Sequence, residues 1–309
     1  MIIDFHTHTF PDRLAAAALD SLQSDSHSRA HTDGTNSGLA SSMGESGVDI
    51  SIVLPVVTNP LKSSSMNNYA ARINEAFYEK ESGIFSIGGI HPETPDIKTV
   101  LKEVSDLGLK GIKLHPDYYG VMFDDIRIKR IIDIASELGL FVITHAGMDI
   151  GLYPPICCTI DSIINVIEDV RPETLILAHM GGWMNWEEVT EVLAPVVRDY
   201  NSSFDVSSKS DDGAASKGIY LDTAFSIGEI EWLDPENHKD YHQMSDDMFK
   251  HMVEVFGADR ILFATDSPWA EQKDYVDRVG KLIREGFGDL AEDMLDRIYS
   301  KNAEQILRF

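Results

Sequence analysis

The sequence alternates between short, almost continuously apolar runs and longer segments with helical spacing, and this alternation restricts the fold more than any other feature. Eight apolar runs of strand length are centred near residues 3, 53, 87, 112, 143, 177, 221 and 263. Between them lie amphipathic segments such as NNYAARINEAFYEK, IRIKRIIDIASELG and IDSIINVIEDV, several closed by glycine. The pattern predicts strands and helices that alternate along the whole chain.

Strands that are apolar on both faces belong in a parallel sheet covered by helices. Eight strand–helix units in 309 residues favour a closed (β/α)8 TIM barrel, formed by residues 1–309 as a single domain. An open, doubly wound sheet is the structural alternative. No GxGxxG fingerprint follows the first strand to support it.

Four of the predicted strands end in side chains that can bind a metal ion or move a proton. His6 and His8 end the first strand, and because they are one residue apart they project from the same face. Later strands end in His145, His179 and Asp266. In a parallel barrel these ends meet at one rim, so we expect the five side chains to converge.

Two histidines alone would be read as ordinary buried side chains, because two residues do not make a coordination sphere. Five convergent polar groups at the ends of apolar strands are costly unless they are used or paired. Imidazole nitrogen and carboxylate oxygen suit one divalent ion, with zinc as the first choice and manganese or iron as alternatives. Three histidines and one aspartate leave a position for water, which is typical of a catalytic site.

Five motifs occur in a fixed order along the chain: DFHTHTFP, GIKLHP, THAG, LAHMGG and FATDSPW. Together they resemble the amidohydrolase superfamily, and in particular the broad amidohydrolase 2 group, which includes aminocarboxymuconate-semialdehyde decarboxylase and related aromatic-acid decarboxylases. The resemblance runs from residue 2 to the C-terminal helix. It implies that His6, His8, His145 and Asp266 are metal ligands and that His179 acts in proton transfer beside the attacking water or the substrate.

The resemblance leaves two reactions open. The leading hypothesis is a metal-dependent hydrolase that uses a metal-activated water to open a C–N or C–O bond at a carbonyl of a small substrate, with Asp266 taking the water's proton. The alternative is non-oxidative decarboxylation of a small aromatic or unsaturated carboxylic acid. A deoxyribonuclease and a metal-binding barrel without turnover are further options.

Four more residues are predicted to bind substrate. Lys113 and His115 share one face of the strand GIKLHP, and Trp183 and Trp269 follow two strand ends, where they can stack on a planar substrate or fill the barrel mouth. For Lys113 two roles compete. In binuclear members of the superfamily a lysine at the end of the fourth strand is carboxylated and bridges two metals, whereas an unmodified ammonium would bind a substrate carboxylate or pair with an acid; we expect the unmodified form.

Charge narrows the class of partner. Fifty-one acidic against twenty-six basic residues give a formal charge of -25, which opposes binding to nucleic acid or to anionic membranes and favours a small-molecule substrate. The adjacent Cys157 and Cys158 do not suggest disulfides, and no secretory signal or bilayer-length apolar run is present. We therefore expect a cytoplasmic protein; a homo-oligomer is compatible with the sequence.

Overall fold

The computed structural model describes residues 1–152, 154–205, 217–234 and 240–308. Its strands are parallel and follow one another around a barrel, as the alternation predicts. They are β1 (Ile3–Thr7), β2 (Ile50–Val53), β3 (Ile84–Ser86), β4 (Gly88–Gly89), β5 (Gly111–Leu114), β6 (Phe141–Thr144), β7 (Thr174–Leu177), β8 (Gly218–Asp222) and β9 (Ile261–Leu262). The third predicted run is divided into β3 and β4 at Ile87, so within the described residues nine short strands fill eight barrel positions.

Helices cover the outside of the barrel. The α-helices are α1 (Asp12–Ser26), α2 (Asn36–Ser46), α3 (Ser63–Tyr78), α4 (Ile97–Asp106), α5 (Pro116–Tyr119), α6 (Ile126–Glu137), α7 (Ile160–Val170), α8 (Trp186–Glu188), α9 (Ala194–Asp205), α10 (Asp246–Phe256), α11 (Gln272–Phe287), α12 (Ala291–Asp296) and α13 (Asn302–Leu307). Short 3-10 turns cover Pro60–Lys62, His179–Gly181, Ala258–Arg260 and Gly288–Leu290, and π-helical turns cover Val189–Leu193 and Arg297–Lys301. Within the described ranges, no helix combines the length and apolarity needed to cross a bilayer.

Hydrogen bonds between the first and last strands close the barrel. The Phe5 amide donates to the Phe263 carbonyl at 2.9 Å, and the Asp266 amide donates to the His6 carbonyl at 2.8 Å. The gap in the third strand is bridged by the Ile87 amide, which donates to the Val53 carbonyl at 3.1 Å. These contacts bring the first and last predicted metal ligands to the same rim.

A bulge in β1 aims the first histidine. Asp4 pairs with Ser51 and Thr7 with Val53, so three steps along β1 match two along β2. An extra residue of this kind changes the face that the following side chains occupy. Phe5 therefore packs in the buried core of the barrel with residues such as Phe141, while His6, the next residue, contacts the polar site.

Candidate metal centre and active site

Three electron-pair donors meet at the end of β1. His6 Nε2 and His8 Nε2 are 3.2 Å apart, and Asp266 Oδ1 lies 3.3 Å from the first and 3.1 Å from the second. The other nitrogen of each ring is already used: His6 Nδ1 donates to Asp222 Oδ2 at 2.8 Å, and His8 Nδ1 donates to the Leu54 carbonyl at 2.8 Å. These partners fix the tautomers, so both Nε2 atoms present lone pairs to the carboxylate oxygen.

Lone pairs packed this closely repel one another unless a cation lies among them. A carboxylate or carbonyl that holds the second nitrogen of each ring is the usual support for a metal-ligating histidine. His6 is only 1% exposed, and burial lowers its pKa well below the usual range, so its ring is a neutral donor. His6, His8 and Asp266 therefore fit a divalent ion.

The two histidines from β6 and β7 lie beside this group. His145 Nδ1 is 3.0 Å from His179 Nε2, and His179 Nδ1 donates to the Ala224 carbonyl at 2.9 Å. One donor atom of His179 lies within 4.8 Å of those of His6 and Asp266, whereas His145 groups at that distance with His115 and Asp149. His145 thus adjoins the group of His6, His8 and Asp266 through His179, and its role as the further ligand stays a prediction. Its Nε2 is buried and has no hydrogen-bond partner among the described residues.

Lys113 lies at the centre of the site. Its side chain is 1% exposed, and Nζ is 3.2 Å from His6 Nε2. Burial lowers the pKa of Lys113 to about 8, opposed by the nearby charges of Asp222 and Asp266. Burial likewise raises the pKa of Asp222 to about 7. Asp222 was not predicted, yet it orients both His6 and the backbone of His179, whose amide donates to Asp222 Oδ1 at 2.9 Å.

A cavity of about 880 Å³ opens above these groups. All the residues predicted from the sequence line it: His6, His8, Lys113, His115, His145, His179, Trp183, Asp266 and Trp269. Trp183 is buried and its Nε1 donates to Gln243 Oε1 at 3.1 Å, so its ring is held in place at the cavity wall. The cavity is large enough for a small planar molecule together with an ion.

The backbone is unusual at two site residues. His179 and Asp266 have φ of 57° and 69°, in the left-handed region that residues other than glycine seldom occupy. Both follow strand ends and both place their side chains in the cavity. Local backbone strain of this kind is often found at functional sites, where the surrounding structure holds it.

Gly147, two residues after His145, allows the chain to pass close to Trp183. Its φ is 87°, and a Cβ there would lie 2.3 Å from the Trp183 amide nitrogen. We expect Gly147→Ala to destabilise the fold by about 2–5 kcal/mol, from the left-handed backbone and the overlap together. Gly139→Ala is the matched control, because φ is 68° there and a Cβ would meet nothing within 4 Å. Thermal denaturation of both variants measures the difference, and equal losses would contradict the role of close packing.

A family model described as Amidohydrolase matches residues 3–309. The chain belongs to this amidohydrolase family. The match covers all five motifs and confirms the resemblance predicted from them. A search of curated proteins finds no match to this sequence.

Solved structures share the fold of this amidohydrolase over its full length. An uncharacterised TIM-barrel protein from Bordetella bronchiseptica has a TM-score of 0.68 at 19% identity, covering 99% of this chain and 98% of that chain. The 5-carboxyvanillate decarboxylase of Novosphingobium aromaticivorans, as the D314N mutant with manganese and 3-methoxy-4-hydroxy-5-nitrobenzoic acid, has a TM-score of 0.66 at 11% identity, covering 100% and 97%. The 2,6-dihydroxybenzoate decarboxylase from Rhizobium has a TM-score of 0.62 at 15% identity, covering 99% and 98%. The single-domain TIM barrel is thereby confirmed.

Proposed function

We propose that this amidohydrolase is a metal-dependent decarboxylase that removes carbon dioxide, without oxidation, from a small planar carboxylic acid. The observation that carries the proposal is the buried ammonium of Lys113 beside the metal-type donors. A cation held at the base of the cavity, in a chain of charge -25, favours an anionic substrate. Several proteins of similar fold are decarboxylases. They support decarboxylation better than hydrolysis, which is the leading hypothesis from the sequence.

His6, His8 and Asp266 would hold the ion, with His145 as the further ligand that the family resemblance implies. When bound, a divalent cation draws electron density from the oxygens of an acid substrate. Zinc stays the first choice from the donor types, with manganese and iron as alternatives; manganese is present in one of the similar decarboxylases.

The remaining side chains bind the acid and supply a proton. Loss of carbon dioxide breaks a C–C bond and leaves the electron pair on carbon, which must then receive a proton. His179 is neutral because burial lowers its pKa, and with Nδ1 donating to the Ala224 carbonyl its Nε2 has a lone pair. Nε2 can therefore take a proton from an acidic group of the substrate or from water and give it to that carbon. Lys113 would orient a substrate carboxylate, and Trp183 and Trp269 would pack against a planar ring.

Hydrolysis of a C–N or C–O bond at a carbonyl is the second candidate. Asp266 favours it, because a carboxylate beside the ligand nitrogens can take a proton from an attacking water. In either reaction we propose a small-molecule substrate rather than nucleic acid.

A paired substrate screen tests the proposal. The protein, loaded in turn with zinc, manganese or iron, is given aromatic carboxylic acids in one series and lactones and amides in the other. We expect release of carbon dioxide from at least one planar acid, with kcat/KM at least about 10²-fold above that for any lactone or amide. Ring opening without release of carbon dioxide would instead establish the second candidate.

A further inference from the structure

The ring of His115 is held between three side chains. Its Nε2 lies 3.2 Å from Asp149 Oδ2, its face stacks on His145 at 4.3 Å with 13° between the planes, and the Tyr118 ring meets it edge-on at 4.5 Å. His115 is 6% exposed and lines the same cavity as the donor cluster. Contacts on the edge and the faces leave the ring little freedom to turn.

These contacts determine which ring nitrogen carries the proton. A carboxylate can only accept a hydrogen bond, so His115 Nε2 carries the hydrogen that Asp149 accepts. In the neutral ring, Nδ1 is then an acceptor. Nδ1 is buried and has no hydrogen-bond partner within the described residues.

A buried acceptor without a donor is rare in folded proteins and requires an explanation. A second metal ion held by His115, His145 and Asp149 is one explanation, because donor atoms of the three lie within 4.8 Å of one another. The stacking argues against it. Two rings only 13° from parallel direct their in-plane lone pairs side by side rather than toward a common point, and Asp149 already occupies one nitrogen of His115.

We infer that the His115–Asp149 pair is a specificity element that selects substrates carrying a hydrogen-bond donor, a hydroxyl group being the smallest, which His115 Nδ1 accepts. The inference deepens the proposed function and rests on it for the acid half of the substrate. A site built around a fixed acceptor rejects the analogue that lacks the donor, because the acceptor is then left unpaired in a dry environment. His115 is thus a substrate-binding residue, and Asp149 is a positioning residue that acts through it.

Matched ligands that show no turnover in the substrate screen test the inference by binding alone. For each ring position, the dissociation constants of a hydroxybenzoate, its methoxy counterpart and benzoate are compared by calorimetry on the metal-loaded protein. At one ring position we expect the hydroxyl compound to bind about 5- to 150-fold more tightly than benzoate, which corresponds to pairing one buried acceptor. Phthalide and its hydroxy and methoxy derivatives form a second series. Because these lactones have no carboxylate, they measure the preference even if the protein does not decarboxylate acids.

Asp149→Asn gives a readout that a merely structural role would not produce. Asp149 Oδ1 accepts from the Gly151 amide at 2.7 Å, so an asparagine that keeps this contact turns its NH2 toward His115 Nε2. That contact shifts the ring hydrogen to Nδ1 and turns an acceptor into a donor. We expect the advantage of the hydroxyl over the methoxy compound to be lost, because both oxygens can accept from Nδ1–H and both compounds should then bind more tightly than benzoate. We expect His115→Phe to remove discrimination between the hydroxyl compound and benzoate. Asp25→Asn is the matched control, because Asp25 is exposed and lines the same cavity without contacting His115; its preference should stay that of the wild type.

The inference would be overturned if the wild type bound each hydroxyl compound no more tightly than its unsubstituted parent, benzoate or phthalide, at every ring position. An Asp149→Asn variant that prefers the hydroxyl over the methoxy compound by the same factor as the wild type would also overturn it. Decarboxylation without any such preference would leave the proposed function intact and reject only the role of this pair.

Discussion

Replacing Asp266 with asparagine is expected to lower kcat/KM by about 10²–10⁴-fold, because a weakened metal site would lose several kcal/mol of charge stabilisation, while the fold persists. Asp266 Oδ1 lies within 3.3 Å of both ring nitrogens of the HxH pair, so the substitution removes the only negative charge among these donors. The same variant should hold less metal, because a neutral amide oxygen is a weaker ligand than a carboxylate. Kinetics, elemental analysis and thermal denaturation on one preparation separate these effects.

Asparagine is the informative replacement because of the backbone. With φ of 69°, Asp266 occupies the left-handed region, which asparagine tolerates better than alanine does. The melting temperature should therefore change by only a few degrees. Asp289→Asn is the matched control, because Asp289 is exposed in the 3-10 turn Gly288–Leu290. This variant should retain wild-type kinetics and metal content. Undiminished turnover in Asp266→Asn would reject the assigned role.

The fold was predictable because the strands are buried on both faces. Each of the eight apolar runs became a barrel strand, and the polar residues that end them, such as His145 and Asp266, reached one rim because parallel strands in a barrel must. Strand-end position therefore predicted which histidines and which aspartate would line the cavity. Asp222 carries the same signal at the end of GIYLD and could have been predicted in the same way.

Other features depend on contacts that sequence spacing does not encode. The bulge in β1 arises from pairing between strands nearly fifty residues apart, so alternation alone does not show that Phe5 and His6 both turn inward. Asp149 lies in an irregular segment after β6, where no periodicity fixes the direction of a side chain. The tautomers of His6 and His115 follow from Asp222 and Asp149, and hence were visible only once the chain was folded.

Replacing Lys113 with methionine is expected to lower kcat/KM for an acid substrate by about 30- to 4,000-fold, the equivalent of about 2–5 kcal/mol for losing one partner of a buried charged contact. Methionine keeps much of the volume of the lysine chain and lacks its charge, so packing at this 1% exposed position should persist. Lys281→Met, on the exposed face of α11, is the control for the loss of a lysine as such. Benzoate binding and metal content, measured alongside the kinetics, show which step has changed.

Metal content and chemical rescue of Lys113 variants distinguish a carboxylated lysine from an unmodified ammonium. A carboxylated Lys113 would bridge two ions, so the wild type would hold two equivalents of metal per chain and the variant fewer. Acetate would then restore activity to Lys113→Ala. For the unmodified ammonium we expect one equivalent in both proteins and partial rescue of Lys113→Ala by methylammonium, which supplies the missing charge in the vacated space. The surroundings of Lys113 favour this second outcome, because the nearby carboxylates of Asp222 and Asp266 attract an ammonium and would repel a carboxylated lysine.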